Sequence, residues 1–339
     1  MHFIKSGMSI IIRKSGILFV LTIFSMLAFG QDYKKIVAKS GDGIYSILKQ
    51  NNLDPTEYFN AFLDLNKGKI GENYQLMIGK TYLLPVPVAD STSQQGVYPI
   101  FGKKYENVTF TDKKLAGAVF YIIAGHGGPD PGAIGKKDGH RLCEDEYAYD
   151  ISLRLAKNLI EHSATVYIIV RDPNDGIRDV DFLKCDKDEV CIGNLEIPLD
   201  QTKRLKQRVV EVNKLYDKYK GSYQRSVELH VDSRYSEQKV DIFFYYHADS
   251  KKGKELCNTL FQTIKAKYDA VQPGRGYSGT VKSRNLYMLN NTNPVSTYIE
   301  LGNINHERDQ KRLIVVDNRQ AIANWLTLGL IKDYENLKK

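Results

Sequence analysis

The chain is short of cysteine, has no phosphate-loop lysine and carries only a modest excess of charge, and each shortage removes a class of function. Four cysteines stand in 339 residues, and none of Cys143, Cys185, Cys191 and Cys257 falls in a C-x-x-C pair, which excludes a cysteine zinc knuckle. The glycine-rich stretch at 125–135 is followed by neither a lysine-hydroxyl pair nor G-x-G-x-x-G, so it is not a phosphate cradle. The formal charge of +8 is not gathered into stripes of Lys and Arg, and no nucleic-acid partner is expected. No tract combines low apolar content with high charge, so both halves of a chain about two domains long should fold.

One uncharged apolar run does occur, from Gly16 to Phe29, behind Lys5, Arg13 and Lys14 and ahead of Ala28-Phe29-Gly30-Gln31. Basic residues, an apolar stretch short of the ~18 residues of a membrane span, then small residues is the order of a signal peptide over residues 1–30. A retained anchor is the alternative, because Ile10 to Ile12 extend the apolar character past Arg13. Cleavage near Gln31 removes three positive charges and lowers the formal charge from +8 to +5. No lipid-anchoring cysteine follows the run, and no stable membrane span is expected after cleavage. Export permits disulfides, and the short acidic loop between Cys185 and Cys191 makes that pair the first choice for a bridge, with free thiols as the alternative and Cys143 as a small buried hydrophobe.

Residues 31–87 read as strand, Gly-Asp-Gly turn, two helices and closing strand, a small βααβ unit. Residues 88–107, centred on PVPVADSTSQQG, have a linker's composition, and a second unit fills 108–339. There, strands at 117–124, 164–170, 226–230, 240–246 and 296–301 alternate with helices over 146–162, 205–219 and 251–268 and one beginning near Asp317. That alternation predicts an α/β class with a central mixed sheet flanked by helices, and functional residues at strand ends.

Three strand ends carry unexpected polar residues. Strand 117–124 runs into Gly125-His126-Gly127-Gly128, where the glycines let the chain turn and leave the imidazole uncovered. Strand 226–230 ends in Leu229-His230-Val231-Asp232, and Glu300 sits between Ile299 and Leu301. An acid inside an apolar strand needs a cation, a metal or a proton to transfer. Glu144 and Glu146 open the helix over 146–162, where capping and the helix dipole alone would account for them. Two histidines and a carboxylate can hold zinc with a fourth position open.

The stretch from Val119 onward resembles the zinc-dependent N-acetylmuramoyl-L-alanine amidases of the Amidase_3 family, through GHGGPDPGAIG (125–135), EDEYAYDISLRLAKNL (144–159), RDPND (171–175), Arg208 with Asn213, and RGYSGTVKSRNLYMLNNTNPVSTYIELGNI (275–304). The resemblance implies Zn²⁺ held by His126, Glu144 and His230, and Glu300 as the catalytic base. Glu144 lies three residues further from His126 than the family places it, which an insertion around Asp138 to Arg141 explains. His247, in FFYYHADS, competes with His230. The family's next apolar strand follows its ligand histidine, and VDIFFYY fills that place only if the ligand is His230. Asn303 replaces the family's Phe, and the acidic segment 172–202 is longer than its norm. A solvated surface loop is the expected form of that segment, with a lid over the site as the alternative. In the N-terminal unit, Gly41-Asp42, Ile44 to Leu48, Leu65-Asn66, Leu76 to Gly79 and Leu84-Pro85 resemble a LysM glycan-binding domain, with Gly43 where Thr is usual.

Together the resemblances imply a periplasmic or cell-wall hydrolase that cleaves the amide between N-acetylmuramic acid and L-alanine, in cell-wall remodelling or daughter-cell separation. Peptidoglycan is the expected partner, its glycan strands at the LysM-like unit and its stem peptide at the zinc; an activating protein is not identified. No organic cofactor is implied. The alternatives are a non-catalytic peptidoglycan-binding protein and a zinc peptidase acting on another wall peptide.

Overall fold

A computed structural model describes residues 33–51, 53, 55–71, 74–85 and 95–337, so the expected signal peptide over residues 1–30 lies outside the described residues. The chain divides into two compact units, Met1–Val88 and Ala89–Lys339. In the first, β1 (Lys35–Val37), α1 (Ile44–Gln50), α2 (Pro55–Leu65) and β2 (Thr81–Leu83) follow in the expected order, β1 and β2 pairing antiparallel. Ile44, Ile47, Leu48, Phe62 and Tyr82 form its core. Asn66 is buried because it replaces a missing stretch of ladder: its amide donates to Phe62 and Leu83 carbonyls and its oxygen accepts from the Leu83 N–H, each at 2.8 Å. Gly43 cannot cap α1 with a side chain, and Ser46 Oγ instead accepts from the Gly43 N–H at 2.9 Å.

The second unit begins earlier than its composition indicates. Within the expected linker, β3 (Gln95–Val97) pairs with β4 (Asn107–Thr109), and a 3₁₀ turn at Pro99–Phe101 buries Phe101 in the main core. One large apolar side chain outweighs the polar residues before it, so folded structure reaches back to Gln95.

The chain then runs β5 (Ala118–Ala124), a hairpin of β6 (Ile134–Lys137) and β7 (His140–Cys143), α3 (Glu144–Glu161), β8 (Thr165–Ile168), the short β9 (Val170–Arg171), β10 (Val190–Cys191) and β11 (Leu195–Glu196), α4 (Gln201–Lys218), β12 (Tyr223–Asp232), β13 (Phe243–Tyr246), α5 (Lys251–Val271), β14 (Thr280–Ser283), α6 (Tyr287–Asn291), β15 (Val295–Asn303), α7 (Glu307–Ile314) and α8 (Val316–Asn336). Six strands form a mixed sheet in the order β14-β13-β15-β12-β5-β8, parallel except where β13 meets β15. The central mixed sheet with flanking helices is the predicted class. Successive residues of β12 show its two faces: Gln224 bonds to the carbonyls of Tyr216 and Tyr219 near the end of α4, whereas Arg225 pairs with Asp333 of α8. No helix among the described residues is long and apolar enough to cross a membrane.

The residues around Asp138 to Arg141, where an insertion is expected, lie in the β6–β7 hairpin, which pairs Lys137 with His140 across Asp138 and Gly139, both at positive φ (48° and 80°). That Asp-Gly geometry suits a two-residue turn between twisted strands.

Cysteine pairing differs from expectation. Cys143 is bridged to Cys185, and Cys191 and Cys257 are buried thiols. The Cys185–Cys191 bridge does not form because Cys191 is in β10, fully buried in the main core. Nor is the acidic segment a solvated loop: β9, β10 and β11 make a small sheet, Leu183 and Ile197 are buried, and Arg319 donates to the carbonyls of Arg178 and Val180. The Cys143–Cys185 bridge spans a sequence separation of 42. Loop-closure entropy for that length is worth about 4 kcal/mol. Cys143→Ser/Cys185→Ser should lose about that much in urea unfolding, and a loss under 1 kcal/mol would refute the bridge's role.

Candidate metal centre

The carboxyl ends of parallel β5, β12 and β15 lie at one edge of the sheet, where the expected site residues emerge. His126 follows β5 and His230 lies near the end of β12. Glu300 is opposite His230 in the β12–β15 register. Glu144 is the first residue of α3, but it caps nothing: its Oε2 accepts from the Ala133 N–H at 2.7 Å and its Oε1 from the Val231 N–H at 2.8 Å. Ligand atoms of His126, Glu144 and His230 all lie within 4.8 Å of one another.

Each imidazole is oriented by a second carboxylate. His126 Nδ1 is 2.9 Å from Asp130 Oδ2, leaving Nε2 toward Glu144 Oε1 at 3.5 Å. His230 Nδ1 is 3.0 Å from Glu144 Oε1, and its Nε2 lies 3.3 Å from Glu228 Oε1. Histidines that bind metals use one nitrogen for the ion and are held through the other; His126 is held in this way by Asp130, and His230 Nε2 faces Glu228 as an ion pair without a hydrogen bond. Neither Asp130 nor Glu228 is among the residues expected at the site. Asp130 four residues after His126, and Glu228 two before His230 on the same strand face, were the available signals.

The electrostatics favour a positive charge among these groups. The hydrogen bond and charge of His126, with Arg204 Nη2 at 2.6 Å, outweigh burial and hold Asp130 far below the usual carboxylate range. Burial would raise Glu144, but His230 and His126 keep it lowered. Burial would likewise lower the His230 imidazolium, yet Glu144 and Glu228 raise its pKa to about 10. Two imidazoles, an ionised carboxylate and two orienting carboxylates form a donor set that zinc fits. Glu300 is buried, with Oε2 lacking a hydrogen-bond partner.

Two close approaches fix this packing. A Cβ on Gly132, at φ +67°, would lie 2.5 Å from Glu144 Oε2 and 2.8 Å from His126 Cγ. Tyr298 stacks on the His230 ring with centroids 4.0 Å apart. Beside the histidines is a cavity of ≈ 160 Å³ lined by Arg204, Leu205 and Arg208 of α4, Tyr287 of α6 and Tyr298. Arg208 is buried and donates to the Gly125 carbonyl, whereas Asn213 bonds to Asn291 and Asn293 away from the histidines.

His247 is not brought to this cluster. Because β13 runs antiparallel to β15, its carboxyl end emerges at the opposite edge of the sheet, where His247 lines a surface hollow with Val295 and Ser296. His230→Ala should therefore abolish zinc retention measured by atomic absorption, and His247→Ala should retain it; the reverse result would move the metal to the other edge.

The model of the Amidase_3 family, N-acetylmuramoyl-L-alanine amidase, matches residues 120–332. No curated protein matches the chain significantly. Among solved structures, the CwlD amidase of Clostridioides difficile, in complex with the GerS lipoprotein, is 21% identical with a TM-score of 0.48, covering 65% of this chain and 98% of its own. AmiC2 of Nostoc punctiforme, an N-acetylmuramoyl-L-alanine amidase, is 20% identical with a TM-score of 0.46, covering 66% and 99%. Ami1 of Mycobacterium smegmatis is 16% identical with a TM-score of 0.48, covering 66% and 99%.

Proposed function

The chain belongs to the Amidase_3 family of N-acetylmuramoyl-L-alanine amidases, and on that premise we propose that it is a zinc-dependent enzyme hydrolysing the amide between N-acetylmuramic acid and L-alanine of peptidoglycan. The observation that carries the reading is the convergence of His126, Glu144 and His230, with Asp130 and Glu228 behind the two imidazoles. His126, Glu144 and His230 would hold the zinc, which when bound would supply Lewis acidity toward a carbonyl and a water. Glu300 accepts the proton of the attacking water and delivers it to the departing amine. Asp130 and Glu228 keep the imidazoles turned inward. The cavity is lined by Arg208, whose Nη2 has no partner, and by Tyr287, and that nitrogen is placed to donate to a carbonyl or carboxylate of the substrate.

In the same reading, residues 1–30 export the chain, the unit over 31–87 binds glycan strands in the manner of a LysM domain, and the enzyme works in the periplasm or at the cell wall. Its task there is wall remodelling or daughter-cell separation.

Peptidoglycan incubated with the purified protein should release stem peptides beginning at L-alanine, identified by mass spectrometry. Chelation should stop the release and zinc should restore it. Unchanged peptide and glycan masses with zinc bound would instead favour a non-catalytic wall-binding protein, and cleavage within the stem would favour a peptidase.

A further inference from the structure

A second group of acids lies beside α3, formed by Asp145 and Glu146 of its first turn and by Asp172, Asp186 and Glu189 of the acidic insertion. Ligand oxygens of Asp145, Glu146 and Glu189 lie within 4.8 Å of one another, as do those of Asp172, Asp186 and Glu189, so Glu189 joins the two triplets. None of the ion pairs among the described residues reaches Asp145, Asp172, Asp186 or Glu189; Glu146 alone has a cation, Arg178 Nη1 at 2.7 Å.

Gathering like charges without cations is costly, and the covalent structure enforces it. The Cys143–Cys185 bridge stands two residues before Asp145 on one segment and one before Asp186 on the other, clamping the two together. The oxygens then divide into satisfied and orphaned. Asp145 Oδ1 accepts from the Glu146 N–H at 2.9 Å, while Asp145 Oδ2 has no partner although the residue is 1% exposed. Asp172 Oδ1 accepts from the N–H groups of Asn174 and Asp175 at 2.8 and 2.7 Å, while Asp172 Oδ2 has none and the residue is 5% exposed. Asp186 Oδ1 is likewise buried and unpartnered. Three carboxylates thus each leave one oxygen unused within the same cluster, where burial of an unpaired acceptor is expensive.

We propose that Asp145, Glu146, Asp172, Asp186 and Glu189 bind a calcium ion. The donors are all oxygen, which selects a hard cation, and they are many and irregularly placed. Calcium accepts six to eight oxygens in flexible geometry, whereas magnesium keeps its waters in a strict octahedron. The ion ties the insertion to α3. Through Glu189, whose Oε2 accepts from the Gly128 N–H at 2.5 Å, it also steadies the loop that carries His126. This site is separate from the zinc ligands and does not depend on the amidase reading.

The test is equilibrium dialysis of the full chain against radiolabelled calcium, with zinc counted in the same samples. The expected result is one calcium per chain, with Kd between about 10⁻⁶ and 10⁻³ M, and a Tm several degrees higher with calcium than in chelator. Asp172→Asn/Glu189→Gln should weaken calcium binding at least tenfold. If that variant fails to fold, Asp186→Asn alone should still weaken it tenfold. No binding by the parent chain at 10 mM calcium, or an unchanged affinity in the folded variant, would overturn the proposal. Preferential saturation by magnesium would overturn the choice of ion. Stripping zinc with a transition-metal chelator should leave the calcium count at one; loss of both together would assign the calcium to His126, Glu144 and His230 and sink the separate site.

Discussion

Replacing Glu300 by glutamine should lower turnover on peptidoglycan by on the order of 10²–10⁴-fold, the usual range for losing a general base, and should leave zinc content unchanged. Glu300 is opposite His230 across the parallel β12–β15 pair, so both side chains project from the same face of the sheet. It is not among the three residues whose ligand atoms converge, and for that reason its loss should leave the metal in place. Burial raises the Glu300 carboxyl to about 8, with His230 pulling it down and Glu144 and Asp232 pushing it up. A base must be ionised to accept a proton, so activity should rise with pH through this group's pKa. A cation beside Glu144 and His230 would draw that pKa below 8. The acid limb of kcat/KM should therefore lie below pH 8 in the zinc enzyme and be missing from the residual activity of Glu300→Gln. A variant that turns over at the parental rate, with its acid limb intact, would assign the base elsewhere.

The strand-end residues were legible because a polar side chain at the end of an apolar run has few structural reasons to exist. Gly125-His126-Gly127 and Ile299-Glu300-Leu301 were readable on that ground without any partner being known. Glu144 was harder, since an acid in the first turn of a helix has an ordinary explanation that only its bonds to Ala133 and Val231 remove. The direction of β13 was not readable at all. Periodicity reports that a strand is present, not which way it runs in the sheet, yet the antiparallel β13–β15 pairing is what carries His247 to the far edge. Disulfide pairing failed for a related reason: Cys185 and Cys191 are near in sequence, but the tertiary fold carries Cys191 into the core and Cys185 to Cys143. Phe101 shows that composition misplaces a boundary when one buried side chain decides it.

Gly125→Ala should disable the metal centre although residue 125 ligates nothing. In the sequence this glycine reads as freedom to turn, but Gly125 is not among the glycines at positive φ. Its role is space: a Cβ there would lie 1.9 Å from His230 Cε1 and 2.0 Å from Nε2. Neither side can give way cheaply. The Gly125 N–H is bonded to the Leu229 carbonyl at 2.9 Å, which holds β5 against β12, and Tyr298 is stacked on the His230 ring. The imidazole must therefore leave its contact with Glu144 Oε1. Misorienting a ligand of this kind weakens metal binding by about 10–100-fold, and the overpacking itself costs about 1–3 kcal/mol. Gly139 provides the contrast, because at φ +80° it has nothing within 4 Å of an added Cβ. Alanine there should cost only backbone strain and leave zinc affinity unchanged. Zinc affinity by chelator competition, with urea unfolding of both variants, separates the two effects. Wild-type zinc affinity in Gly125→Ala would mean that the His230 ring is not held where Glu144, Glu228 and Tyr298 place it.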